Sequence, residues 1–164
     1  MTINDSVIKE IQSAFKDGIP NARLLGWDEE RFYTDLINLS RSGKIVNATD
    51  FNYSFCNTYY YHYYPSEQSK AHEKATLQIS FVSNVFQIYW DKFLKHSSVA
   101  RRILEPENTE SKDWEKAVKG FMKQSGFEEF LIEWYNLPID GIELELSEKD
   151  HVTLGKCLFD DYED

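Results

Sequence analysis

The chain has 164 residues, of which 41% are hydrophobic and 15% aromatic, and this composition excludes a disordered protein. Its net charge of −10 disfavours binding to nucleic acid and to anionic membranes, because like charges repel. The N-terminal sequence has no secretory signal pattern, and no apolar stretch is long enough to span a membrane, so we expect a cytoplasmic protein.

Residues 4–43 are predicted to be helical. In "SVIKEIQSAF", apolar residues recur three or four positions apart, which is the period of an amphipathic helix. A second helix is predicted in "WDEERFYTDLINLSRSG", with Asp28 as its N-cap. Phe32, Leu36 and Leu39 share one face of that helix and are expected to be buried.

Residues 50–92 change to the two-residue period of β-strands. Aromatic and polar residues alternate in "FNYSFCNTYYYHYY". The segments "ATLQISF" and "VFQIYW" repeat the alternation on either side of a short turn, which predicts an antiparallel hairpin. These three segments predict a β-sheet over residues 50–92.

Two further elements complete the predicted fold. A helix is expected over residues 110–125, which place their large apolar side chains on one face. In "IELEL", apolar and acidic residues alternate, and we therefore predict C-terminal strands within residues 141–159. The sequence predicts a single α+β domain over residues 1–164, with an antiparallel sheet of about four to six strands packed with α-helices.

The whole net charge lies near the C-terminus. Residues 1–127 contain sixteen acidic and sixteen basic side chains, whereas residues 128–164 contain twelve acidic and two basic ones. Concentrated negative charge steers a cationic partner, so we predict that this region binds a basic protein. The simpler interpretation is a solvated end that only aids solubility, and weak cation binding is a third. The predicted contact residues are Glu143, Glu145, Glu148, Asp150, Asp160, Asp161, Glu163 and Asp164.

Five tyrosines surround His62 in the stretch "TYYYHYYP". Core packing is the simpler interpretation for the odd-numbered tyrosines. On the opposite face, Tyr60, His62 and Tyr64 are candidate anchors for a protein partner, because tyrosine offers a large contact area at low entropic cost. Base stacking fits less well, since stacking proteins normally add a basic groove.

The sequence contains no recognisable catalytic or metal-binding motif. Its four histidines do not occur in HxxxH or HExxH spacing, and no serine lies in a glycine-flanked elbow. We therefore expect no catalytic residue, cofactor or metal. The alternative is an enzyme that acts on a small molecule or nucleotide, with His62, His72 or His151 as acid or base and a carboxylate as its partner.

A small, acidic and aromatic-rich α+β chain of this kind resembles the immunity proteins of bacterial contact-dependent inhibition and polymorphic toxin systems. The resemblance is carried by "YYYHYYPSEQSKAHEKATLQISF" and "LPIDGIELELSEKDHVTLGKCLFDDYED". It implies a protein that binds a cognate toxin tightly and blocks its active site or substrate groove, commonly with a nuclease as the toxin. A general protein-binding adaptor is a further alternative that the sequence does not separate from an immunity protein.

Overall fold

The protein is described by a computed structural model that covers residues 5–66, 71–94 and 99–161. Within these residues no helix is long and apolar enough to cross a membrane. The helices are α1 (Asp5–Ala14), α2 (Ala22–Leu25), α3 (Tyr33–Leu39), α4 (Thr109–Gln124) and α5 (Leu154–Leu158). The strands are β1 (Lys44–Asn47), β2 (Cys56–Tyr63), β3 (His72–Ser80), β4 (Val85–Phe93), β5 (Ala100–Ile103) and β6 (Glu128–Glu129). The predicted α+β class is confirmed.

The strands form one sheet. Strands β1 to β5 follow each other in chain order as antiparallel neighbours, and β6 pairs in parallel with β4. The three central strands lie in the predicted range 50–92 apart from Phe93 at the end of β4, and α4 lies within one residue of the predicted helix 110–125 at each end. The short strands β1, β5 and β6 extend the sheet beyond the predicted range.

One face of the sheet packs against α3 and α4. The alternation in β2 places Tyr59 and Tyr61 on this face, where they are 1% and 2% exposed. The ring of Tyr61 stacks on Trp114 of α4 with 4.3 Å between the centroids, and Trp90 meets both rings edge-on. Burial of a large apolar side chain stabilises a fold by about 1.5–3 kcal/mol, so this cluster is a major source of stability. The core interpretation of these two tyrosines is confirmed.

The opposite face of the sheet is covered at one end only. Helix α1 and the chain after Phe130 pack there against Cys56 of β2 and Val85 of β4 in a second hydrophobic core. Towards the other end of the same face, the side chains of Tyr60, His62 and Lys74 are only partly buried. We call this second part, which is centred on the C-terminal half of β2, the open face.

The prediction of C-terminal strands within residues 141–159 is wrong. Ile142 and Leu144 are buried and Glu143 is exposed, as the alternation indicated, but the segment pairs with no strand. Alternation reports which side chains are buried, whereas a strand also needs a neighbouring chain for its hydrogen bonds. Here the Leu146 N–H donates to the Asp161 carboxylate instead, and the last part of the range is helix α5.

Helix α3 begins later than the sequence predicts. Asp28 caps a turn rather than the helix, since its Oδ1 accepts a hydrogen bond of 2.9 Å from the Glu30 N–H. Phe32 then has φ 63°, in the left-handed region, so the backbone is not helical immediately before α3. Its ring lies edge-on to Phe121 and Phe127, and this packing holds the unfavourable backbone in place.

Two glycines give a matched test of the aromatic core. A Cβ at Gly43 would lie 1.9 Å from Tyr61 Cε2, and the buried, stacked ring has no room to move. Gly43→Ala should therefore lower the free energy of unfolding by about 1–3 kcal/mol. At Gly120, exposed in α4, a Cβ meets nothing within 4 Å, so Gly120→Ala should stabilise by about 0.5–1 kcal/mol. Urea unfolding checks both values, and equal effects would contradict the packing described.

Candidate functional site

Residues 131–151, which we call the acidic segment, cross the surface between β6 and α5. Its basic side chains are Lys149 and His151, and His151 Nδ1 lies 3.9 Å from Glu148 Oε2. The other acidic side chains of the segment have no ion-pair partner among the described residues. All six of its carboxylates are exposed: Glu133, Asp140, Glu143, Glu145, Glu148 and Asp150.

Apolar side chains are exposed beside these carboxylates. Ile132 is 62% exposed, Leu146 is 41% exposed and Leu137 is 38% exposed. Protein interfaces combine an apolar centre with a charged rim, and this segment offers both kinds of group. The four predicted contact residues Glu143 to Asp150 therefore lie where a partner can reach them.

The other predicted acidic contacts are placed differently. Asp161 is 1% exposed, and its carboxylate accepts hydrogen bonds from Leu146 N–H (2.7 Å) and Ser147 Oγ (2.6 Å). It holds the acidic segment in place from inside, contrary to the predicted surface contact. Sequence alone did not reveal this role, because nothing in "DDYED" marks which of its carboxylates is buried. Glu163 and Asp164 lie outside the described residues.

Asp160 is also largely enclosed, and it faces the sheet. Its Oδ2 accepts a hydrogen bond of 2.6 Å from Gln78 Nε2. Burial raises the pKa of Asp160, and the hydrogen bond from Gln78 opposes this effect. Asp160 lines a pocket on the sheet and does not belong to the exposed acidic surface.

The predicted aromatic contacts are brought together on the open face. The Tyr64 ring stacks on His72 with 4.5 Å between the centroids, and the His62 ring lies 5.6 Å from that of His72. Tyr64 is 51% exposed, while Tyr60 and His62 are partly buried. Lys74 Nζ lies 3.7 Å from the Tyr60 ring centroid. We call Tyr60, His62, Tyr64 and His72 the aromatic patch. The Lys74 cation borders this patch, whereas the acidic segment carries mainly negative charge.

The imidazole of His62 resists protonation. Burial lowers its pKa to about 4, and the nearby charges of His72, Lys74 and Lys44 act in the same direction. Its Nδ1 is buried and has no hydrogen-bond partner among the described residues. His62 is therefore neutral at pH 7 and contributes to the patch as an aromatic ring.

Sequence reasoning did not identify the pocket between the open face and the C-terminal part of the chain. It has a volume of about 630 Å³. Gln78, Gln87 and Tyr89 line it from the sheet, and His151 and Asp160 line it from the other side. Gln78 in "ATLQISF" was a possible signal, since a glutamine central in a strand is unusual, but its partners come from distant segments.

One histidine of the enzyme alternative, His151, lines the pocket together with the Asp160 carboxylate. His62 and His72 lie on the open face and do not line it. Among the described residues, no group of three or more His, Cys, Asp and Glu side chains could hold a metal ion. No protein-family model, curated protein or solved structure matches this chain.

The low pKa of His62 predicts how stability depends on pH. The pKa is about 4 when folded and 6.5 when unfolded, so the unfolded state takes up the proton first. The free energy of unfolding should therefore be fully retained above pH 6.5 and fall as the pH decreases towards 4. His62→Gln should flatten this part of the curve, as measured by urea unfolding at several pH values. His151→Gln controls for loss of a histidine, and parallel wild-type and His62→Gln curves would contradict the assignment.

Proposed function

We propose that this protein is a cytoplasmic immunity protein that binds and neutralises a basic bacterial toxin, a nuclease, through the acidic segment. The observation that carries the proposal is the exposure of all six carboxylates of residues 131–151. Five of them have no ion-pair partner within the described residues, so their charge is available to a cationic surface.

The charge of the segment suits a nuclease as partner. An enzyme that binds nucleic acid presents cationic side chains to a row of phosphates. The six exposed carboxylates from Glu133 to Asp150 offer negative charge to such a cationic surface. Such complementarity accelerates encounter and excludes acidic proteins, while specificity comes from the groups beside it. The exposed side chains of Ile132, Leu137 and Leu146 supply apolar contact area next to the charges.

The segment is also held in place before binding. Ile142 and Leu144 are buried in the second core, and Asp161 hydrogen-bonds to Leu146 and Ser147. A surface that is already ordered loses little conformational entropy on association, which favours tight binding. The geometry therefore supports a docking surface better than it supports a solvated tail.

The aromatic patch has a secondary role in this proposal. Tyr60, His62 and Tyr64 offer contact area, and Tyr64 is the most exposed of the three. Lys74 beside Tyr60 does not attract a basic toxin. We assign these three residues to peripheral contacts and the charge-dependent part of the affinity to the acidic segment.

Charge reversal tests the proposal. The variant Glu143→Lys, Glu145→Lys, Glu148→Lys and Asp150→Lys should weaken binding to the toxin domain encoded beside this gene about 1,000-fold, at about 1 kcal/mol for each reversed charge. Isothermal titration calorimetry with a catalytically inactive toxin domain measures the affinity. The wild-type affinity should fall as salt rises, because added ions screen the attraction. Protection of cells that express the active toxin should be lost in parallel.

A second variant controls for net charge. It carries four lysines at exposed acidic positions outside the acidic segment, namely Glu10, Asp17, Glu29 and Asp113. Its net charge changes as much, but its affinity for the toxin domain should stay within about tenfold of wild type. Equal losses in the two variants, or no loss in either, would contradict docking through residues 131–151.

A further inference from the structure

The floor of the pocket is a fixed arrangement of buried polar groups. Gln87 Nε2 donates to Gln78 Oε1 (2.5 Å), and Gln78 Nε2 donates to Asp160 Oδ2 (2.6 Å). Gln78 and Gln87 are 2% and 5% exposed. A buried amide costs stability unless it is hydrogen-bonded, and apolar side chains would fill a sheet face at lower cost. These two hydrogen bonds use one of the two N–H groups of each glutamine amide, and they fix how both amides are oriented.

Cationic side chains line the rim of the same pocket. The Arg102 guanidinium lies 4.2 Å from the Tyr89 ring centroid, and its Nε donates to Asp91 Oδ1 at 2.9 Å. These contacts hold the planar group while leaving further N–H groups for a ligand. Lys156 Nζ donates to the His151 carbonyl oxygen at 3.2 Å. Two positive side chains therefore meet at one pocket of a protein whose net charge is −10.

The size and aromatic lining of the pocket fit a small organic molecule. Its volume of about 630 Å³ lies within the usual range for small-molecule sites, roughly 300–1,000 Å³. Besides Tyr89, the Tyr135 ring lines it and packs against Gly155, where a Cβ would lie 2.1 Å from the ring. A glycine at 155 thus permits Tyr135 to occupy its position. The lining combines aromatic rings, paired amide donors and acceptors, and cations.

We propose that this pocket binds a mononucleotide, with its phosphate at Arg102 and Lys156 and its base at the amides of Gln78 and Gln87. Amide groups match the paired donors and acceptors on base edges, and tyrosine rings offer surfaces on which bases stack. The site overlaps the acidic segment but includes none of the four carboxylates that the charge-reversal test changes. Four residues belong to both the pocket lining and the acidic segment, namely Ile132, Tyr135, Asn136 and His151, so a longer nucleic acid leaving the pocket would meet carboxylates.

Calorimetry and thermal unfolding of the whole protein test this proposal. The probes are AMP, GMP, CMP and UMP, with adenosine and inorganic phosphate for comparison. At least one mononucleotide should bind and raise the melting temperature more than phosphate or adenosine does. Arg102→Ala and Lys156→Ala should each weaken that binding about tenfold or more. The matched controls Arg101→Ala and Lys149→Ala change exposed cations that do not line the pocket, and should leave the affinity unchanged.

A substitution in the floor tests the role of the amides. Gln87→Leu should reduce the preference among the four bases, while binding of phosphate alone persists. If this variant does not fold, chemical-shift mapping on the wild type replaces it, and the largest shifts should fall on Gln78, Gln87 and Asp160. Absence of binding by all four mononucleotides, equal binding of phosphate alone, or equal losses in the control variants would overturn the proposal. None of these results would affect the test of the toxin contacts, which uses other residues.

Discussion

The fold depends on the attachment of residues 159–161 to the chain before β2. Phe55 N–H donates to the Phe159 carbonyl oxygen (2.7 Å), and Asp161 N–H donates to the Tyr53 carbonyl oxygen (2.8 Å). Between these two bonds, the Asp160 side chain faces the sheet and reaches Gln78. The Asp161 side chain faces the acidic segment instead. Two adjacent carboxylates therefore fix the pocket floor and the surface loop from one short stretch of backbone.

This attachment has to overcome the cost of burying charge. A buried carboxylate is costly unless it is hydrogen-bonded, and Asp161 receives two hydrogen bonds where it is 1% exposed. The driving force comes from apolar neighbours, since Leu158 and Phe159 are fully buried in the second core and each contributes about 1.5–3 kcal/mol. Burial of these apolar side chains thus keeps Asp161 in position to order the acidic segment, although the exposed carboxylates of that segment repel each other.

Sequence patterns predicted the centre of the fold because each central element carries its own period. The alternation of β2 correctly assigned Tyr61 to the core and Tyr60 to the opposite face. The same reasoning at Ile142 predicted burial correctly and a strand wrongly, because period says nothing about pairing partners. The roles of Asp160 and Asp161 and the pocket were beyond prediction, since they arise from contacts between segments far apart in the chain.

The pocket and the acidic segment share parts of the chain, so their binding equilibria need not be independent. His151 lines the pocket, its carbonyl oxygen accepts a hydrogen bond from Lys156, and its ring lies near Glu148. A phosphate drawn to Lys156 would place negative charge close to the carboxylates that the toxin is proposed to contact. If a nucleotide changes the affinity for the toxin by some factor, the toxin changes the affinity for the nucleotide by the same factor. Binding of a nuclease to the acidic segment and binding of a nucleotide to the pocket would then be thermodynamically coupled through the backbone around His151.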